Sequence, residues 1–360
     1  MNLSRFFRVD RRFGGLGFVL AVLSLVGMAA VAGLAAFGVD AGFRGQLTDI
    51  CIMALIYACI TVGLQVFVGG TGIVSFGHIG FVALGAYAAG IVSVPPEAKQ
   101  SLLPKMPTFL MSLQIDFPLS LVIGAIVPSV IALAIGPILM RLTGQAAAVT
   151  SFAFLIIVND LLRNAKAITN GVQTFSRVPQ ATTILSASIA LIVVVAVAAA
   201  YKWSPIGLRS RATRENEVAA AAAGVGALGS RLWPWALSAA MCGLAGGLWA
   251  HFLTAFAPVT FFLQPTTIVI VMLFAGGAMS LTGAIIGACA ISIWLEFARR
   301  VDAGFSFGPV QLPALAQFSE LSLAVILVVL LQLWPSGLLG YREVQIPVGM
   351  RERSGGLNSG

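Results

Sequence analysis

Apolar runs close to 20 residues long recur through this 360-residue chain, and no other feature narrows its fold as much. A helix of that length crosses the ~30 Å hydrocarbon core of a bilayer, whereas a membrane barrel shows alternating segments of ~10 residues. Within hydrocarbon each backbone N–H and C=O needs a partner inside the protein, which a helix supplies from its own chain. Composition agrees: 59% of residues are hydrophobic and 9% charged, against ~25% charged in a soluble domain. The chain therefore reads as an all-α polytopic membrane protein of about ten transmembrane helices. They are expected at roughly 16–37, 47–68, 73–94, 119–140, 146–162, 183–202, 232–256, 264–281, 283–298 and 319–334. Arg5, Arg8, Arg11 and Arg12 precede the first run, as in a signal peptide, but that run is longer than an h-region and more spans follow. An uncleaved first span is the expectation.

Charge tests the count. With N and C termini both cytoplasmic, the inner segments hold 13 of the 21 bases and five of the 13 acids, leaving +8 inside and zero outside. That asymmetry follows the positive-inside rule and assigns the basic residues to membrane orientation rather than to nucleic acid. Nine spans would put a terminus, or the polar segment at 203–231, on the wrong side. Longer mixed-charge loops at about 95–118, 163–182 and 299–318 fall outside, as connectors or a docking surface. Residues 346–360 end in a Gly- and Ser-rich tail expected to be flexible. Cys51, Cys59, Cys242 and Cys289 all sit in apolar runs without metal spacing and read as small core residues.

Catalytic chemistry has no foothold. His78 and His251 stand far apart, neither in a metal-binding pair, and no Walker A sequence is present. Asp160, Glu296 and Glu320 fall at span ends, where ionisation is cheap. More informative is the stretch Gly69–Gly90, with seven glycines in 22 residues. Such glycines allow close helix approach or local unwinding, and unwound backbone at membrane depth must be buried in protein or line a cavity. Ser75, Gly77 and His78 are accordingly candidates for a translocation pathway, an alternative being tight packing against a neighbouring helix. A second Gly-rich break runs from Gly276-Gly277 to Gly283 and Gly287. The two breaks, in the third and eighth spans, suit an inverted repeat of five plus five helices.

The polar segment 203–231 carries its own signals. It begins Ser204-Pro205-Ile206-Gly207, Arg209, Arg211 and Arg214 follow, and Glu215 and Glu217 favour a helix N-terminus ahead of Ala219–Ala223. Gly224 suits the stop. A short helix presenting small side chains fits a groove on another protein. The alternative, an amphipathic linker lying on anionic headgroups, calls for a bulkier apolar face.

These pieces in this order resemble the branched-chain amino acid ABC transporter permease family, in its LivM-like branch. The resemblance rests on Val68–His78 continuing to Gly85-Ala86-Tyr87, on Ser204-Pro205-Ile206-Gly207 through Arg214–Ala220 to Gly224, and on Ser238–Leu248. Gly276-Gly277 and Pro335–Gly340 with Arg342-Glu343 extend it over about 50–345. Two departures stand out. Ala221 replaces a second acid common among relatives, and Thr169–Thr174 replaces a more glycine-rich turn.

The resemblance implies a single transmembrane permease domain over 1–345, with an ATPase-coupling loop at about 203–231 in which Glu217, Ala219, Ala220 and Gly224 carry the contact. It implies an importer of the bacterial inner membrane working by alternating access. Its partners would be a second homologous permease, two cytoplasmic ABC ATPases and a periplasmic substrate-binding protein. This chain then holds no cofactor and is no enzyme, ATP being bound by the ATPases. The cargo is a branched-chain or related amino acid, or alternatively urea, a short amide or an aromatic acid. From another class, an ATP-independent secondary transporter or channel is the rival.

Overall fold

The computed structural model describes residues 41–304, 306–307, 310–311, 315, 317–333 and 337. The expected first span at 16–37 and the tail at 346–360 lie outside them, as does most of the 335–343 motif.

The apolar runs form the main helices of the bundle. They are α1 (Ala41–Thr71), α2 (His78–Ser93), α5 (Phe117–Leu139), α6 (Gly144–Asn164), α8 (Ile184–Trp203), α11 (Ala227–Leu253), α12 (Leu263–Gly276), α13 (Leu281–Ala303) and α14 (Phe318–Leu333). Between them lie the short helices α3 (Pro96–Leu102), α4 (Thr108–Met111), α7 (Lys166–Thr169), α9 (Pro205–Glu215) and α10 (Glu217–Ala222). Ser306–Phe307 and Val310–Gln311 make a minimal antiparallel hairpin. Among the described residues seven spans are long and apolar enough to cross a membrane, α12 qualifying together with the turn Pro258–Phe261 before it, or eight if α2 and α3, bent by 117°, count as one broken span. Each of the nine expected spans within the described residues meets a helix.

Several boundaries move by up to six residues, two of them at the glycine breaks, and one idea fails. The third span was expected from residue 73, but helix begins only at His78, after a non-helical segment. The eighth was expected to run to 281, but Gly277, at φ +115°, ends α12. The two glycine-rich breaks therefore open one span and close another. Both lie at the same end of the bundle, where Thr71, Gly72 and Met279 border one cavity. An inverted repeat carries equivalent positions to opposite ends, so these breaks are not its matched pair.

At the centre are α1 and α11. The apolar window of α1 is 89% buried, against 28% for α5 and 33% for α8, which turn Val122, Ile126, Val130, Ile189 and Val193 outward to hydrocarbon. α11 packs on α1, α2 and α5 together, while α12, α13 and α14 pack on one another and meet α1. Lipid tails are as apolar as leucine, so association in a bilayer depends on close packing, and small residues permit it. A Cβ on Gly85 of α2 would overlap the Gly243 backbone of α11, and one on Gly243 would overlap the Gly124 carbonyl of α5. Three backbones touch along one line because none of these positions carries a side chain.

The opposite end is stitched by loops. Buried Lys99 donates to the Leu110 carbonyl at 3.0 Å and to that of Leu113. Phe175 and Phe256 exchange backbone hydrogen bonds of 2.8 and 2.9 Å. His251, on α11, reaches Ser120 at 3.0 Å and the Pro179 carbonyl at 2.9 Å. In the departure at Thr169–Thr174, Asn170 and Gly171 both take positive φ, 65° and 67°. Asparagine tolerates the left-handed region better than other side chains, so the turn keeps a glycine-like backbone there.

Filling the triple contact is costly. Gly243→Val is expected to destabilise the chain by about 1–3 kcal/mol or more through overpacking, seen as a lower thermal unfolding midpoint in detergent. Gly229→Ala, at a position facing open space on the same helix, should raise that midpoint.

Candidate functional site

The polar segment folds into two helices joined at one residue. Ser204 caps α9, accepting from the Gly207 N–H at 3.1 Å, with Pro205 in the first turn. Asn216 then leaves helical geometry, at φ −157°, and its side chain accepts from the Ala219 N–H at 2.9 Å, opening α10. Glu215 thus closes α9, whereas it was expected in the first turn of the alanine helix. Glu217 does occupy that turn. At the far end Gly224 has φ +79°, with Gly224 N–H bonded to the Ala221 carbonyl at 3.0 Å and Val225 N–H to that of Ala220 at 2.9 Å. That pair is a Schellman stop.

Which side of α10 faces out is now defined. Val218 is 81% exposed, and Ala219, Ala221, Ala222 and Gly224 are also exposed, whereas Ala220 is buried against the protein. Of the four residues expected in the contact, Ala219 and Gly224 are accessible, Ala220 anchors, and Glu217 does both. Its carboxylate, half exposed, pairs with Arg231 of α11 at 2.6 Å, and Arg231 is nearly buried. Ser210 donates to the Ser230 carbonyl at 2.6 Å and binds α9 to the same helix start. The short helix is therefore fastened to α11, the most connected element of the fold.

The three arginines differ in role. Arg209 is exposed, and Arg211 donates to the Lys202 carbonyl at 2.8 Å. Arg214 turns inward: Nη1 donates to the Gly69 carbonyl at 2.6 Å and lies 2.9 Å from Met279 Sδ. It also forms an ion pair with Glu215. A headgroup-binding row would leave all three free, and sequence spacing had not separated Arg214 from the others. Around it opens a cavity of about 540 Å³ bordered by Thr71, Gly72, Thr143, Glu217, Arg231 and Met279.

Ser75, Gly77 and His78 lie next to this region but inside the chain's own core. The non-helical segment 72–77 alternates in exposure, with Gly72, Val74 and Phe76 wholly or partly accessible and Ile73, Ser75 and Gly77 buried. Its backbone is satisfied by side chains: Ile73 N–H by Thr71 Oγ1 at 3.2 Å, Phe76 N–H by Ser151 Oγ at 3.0 Å, Gly77 N–H by Ser75 Oγ at 3.3 Å. A Cβ on Gly77 would stand 2.6 Å from the Ser151 carbonyl oxygen, so only glycine fits there. His78 bridges Ser75 Oγ at 2.8 Å and Ser238 Oγ at 2.9 Å, among the rings of Phe67, Phe81 and Trp235. Ser238 gives its one hydroxyl proton to the Trp235 carbonyl at 2.9 Å. The imidazole therefore donates through Nε2–H and accepts from the Ser75 hydroxyl at Nδ1, which satisfies all three groups. His78 thus ties the break to α11, eleven residues beyond the start of that helix.

With this geometry in place, comparison with known proteins is decisive. The family described as the permease component of the branched-chain amino acid transport system matches residues 46–333. The chain belongs to that family. Similar curated proteins include the high-affinity branched-chain amino acid transport system permease protein LivM of Salmonella typhimurium, 25% identical over 349 residues, covering 87% of this chain and 74% of the relative. LivM of Escherichia coli is 25% identical over 340 residues, covering 84% and 72%. No solved structure matches the chain. It is thus a multi-pass membrane protein and a transport permease component, with the match running from α1 to the end of α14.

Two local outcomes are expected. Ser238→Ala orphans a buried imidazole N–H and should lower stability by about 1–3 kcal/mol, read from thermal unfolding in detergent. Gly224→Ala forces a Cβ into the left-handed region at a cost of about 1–2 kcal/mol. Because Gly224 faces open space, its effect should stay local, as faster amide exchange over 217–224.

Proposed function

We propose that this chain is one of two membrane subunits in an ATP-driven importer of the bacterial inner membrane. A second homologous permease, two ABC ATPases and a periplasmic binding protein complete the assembly. The cargo is a branched-chain or related amino acid, in line with the relatives' names, with urea, short amides and aromatic acids as alternatives within the same class. The end bearing α9 and α10 faces the cytoplasm, since Arg141, Lys202, Arg209, Arg211, Arg214 and Arg231 gather there.

One observation carries the reading. α10 is a capped, exposed helix of small side chains, and its acidic first turn is fastened to the central helix of the bundle through the Glu217–Arg231 pair. A partner that grips the outer face of α10 pulls on α11, and α11 touches α1, α2 and α5. ATPase motion is thereby converted into helix movement, and the pathway alternates between its two openings. Glu217 and Ala220 hold α10 to the protein, while Ala219 and Gly224 meet the partner. Ala221, lacking the second acid of many relatives, leaves the outer face uncharged at that point.

Ser75, Gly77 and His78 enter transport indirectly in this reading. They fix the non-helical segment whose accessible residues, Val74 and Phe76, border the pathway. An inverted repeat stays part of the proposal on different support: α1 packs on α13 as α11 packs on α5, and α12 pairs with α13 as α2 pairs with α5.

Proteoliposomes containing the complete complex, with and without Glu217→Lys, provide the test. A lysine beside Arg231 repels it, and both leucine uptake and substrate-stimulated ATP hydrolysis should be lost. Uptake that survives the substitution and continues without ATPases would overturn the importer reading in favour of a lone carrier.

A further inference from the structure

Arg214 occupies a position that a surface arginine has no reason to take. Its guanidinium is largely buried and reaches two transmembrane elements at once. One is the C-terminal turn of α1, where the last carbonyls of a helix lack intrahelical partners. The Gly69 carbonyl belongs to that turn and receives Nη1 at 2.6 Å. A cation there also meets the negative end of the helix dipole. The other element is the turn between α12 and α13, reached at Met279.

The surroundings are shaped to admit it. A Cβ on Gly72, whose φ is +73°, would stand 2.8 Å from Arg214 Cγ, so a side chain there would obstruct the arginine. One on Gly69 would stand 2.9 Å from the Ala278 carbonyl oxygen, so the α1 terminus and the α12–α13 turn are in near contact under the guanidinium. Two glycine breaks far apart in sequence thus meet at one side chain of the polar segment.

We infer that Arg214 is a second transmission point between the coupling helix and the membrane bundle: a positioning residue that clasps α1 to the α12–α13 turn and carries the displacement of α10 to both. The inference rests on the coupling role proposed for α10 and adds a route separate from Glu217–Arg231. Arg214 lies three residues before Glu217, with only Glu215 and Asn216 between, so a shift of α10 reaches the guanidinium with little slack. The Glu217–Arg231 pair moves α11. Arg214 moves α1 and the start of α13. Together they reach both groups of helices in the fold, so that α1 and the start of α13 are driven directly as well as through α11.

The experiment compares Arg214→Gln, Arg214→Lys and Met279→Ala in the full complex, reconstituted with ATPases and binding protein. Uptake of labelled leucine per ATP hydrolysed is measured, together with assembly yield. Arg214→Gln should assemble and hydrolyse ATP while uptake per ATP falls about tenfold, within the ~5–150-fold range of allosteric couplings. Arg214→Lys, which keeps charge but loses the two-way reach, should restore part of the ratio. Met279→Ala, which leaves the arginine in place, should lower the ratio less.

A second readout does not depend on cargo. In a chain whose native cysteines are replaced, maleimide labelling at Val74→Cys should change on vanadate trapping, and Arg214→Gln should abolish that change. Should Arg214→Gln fail to assemble, the same change is followed in Met279→Ala, where it should shrink. An assembled Arg214→Gln complex with unaltered uptake per ATP, or an unaltered labelling change in whichever variant assembles, overturns the clasp. Glu217→Lys separates the two ideas: if it transports normally, the coupling reading itself fails. If it abolishes transport while Arg214→Gln keeps the wild-type ratio, only the clasp fails.

Discussion

Close backbone contact between helices is the constraint on which the rest of this structure depends. A bilayer offers no hydrophobic drive for one apolar helix to prefer another over lipid, so packing quality decides association. α11 meets that demand with Cys242, Gly243, Gly246 and Gly247, against which α1, α2 and α5 settle at backbone distance. Every other feature hangs from this. The tie from His78 to Ser238 and the pair from Glu217 to Arg231 both end on α11, as does the bond from Ser210 to the Ser230 carbonyl.

A second constraint shapes the breaks. Backbone that leaves the helix inside a membrane protein still needs hydrogen-bond partners. Here polar side chains supply them: Thr71, Ser75 and Ser151 for the non-helical segment before α2, Ser280 for the start of α13, Arg214 for the end of α1. Thr71, Ser75, Ser151 and Ser280 thereby replace helix bonds missing at the breaks, whereas Thr61, Ser93 and Thr266 bond carbonyls one turn back within intact helix. The arrangement also makes the breaks sensitive to the polar segment, because one of their partners is mounted on it.

Much of the fold was legible beforehand, since helix length in a membrane is dictated by hydrocarbon thickness and can be counted along the chain. Nine expected spans each coincide with a helix, with ends displaced by up to six residues, and the Asn216-to-Gly224 helix announced its stop through an alanine run ending in glycine. Misreadings came where tertiary contact overrides local preference. Glu215 reads as an N-terminal acid beside Glu217, yet the Asn216 cap divides the segment after it. The two glycine breaks read as counterparts because glycine content alone does not say which end of a span unwinds. Arg209, Arg211 and Arg214 look alike in sequence, and only the proximity of Gly69 and Met279 sets Arg214 apart.

What the sequence determined by itself is a matter of one-dimensional physics: membrane residence from the length and polarity of its runs, a charge asymmetry along the chain, a capped polar helix, and family membership through residues 46–333. The tertiary structure decided which of those pieces touch. It brought Gly69, Gly72, Arg214 and Met279 to one point, turned Ala220 in and Val218 out, and made His78 a link between a break and the central helix. Contacts of that kind join residues separated by tens to hundreds of positions. They depend on helix orientation and crossing, and so on packing of whole faces that no local stretch of sequence encodes.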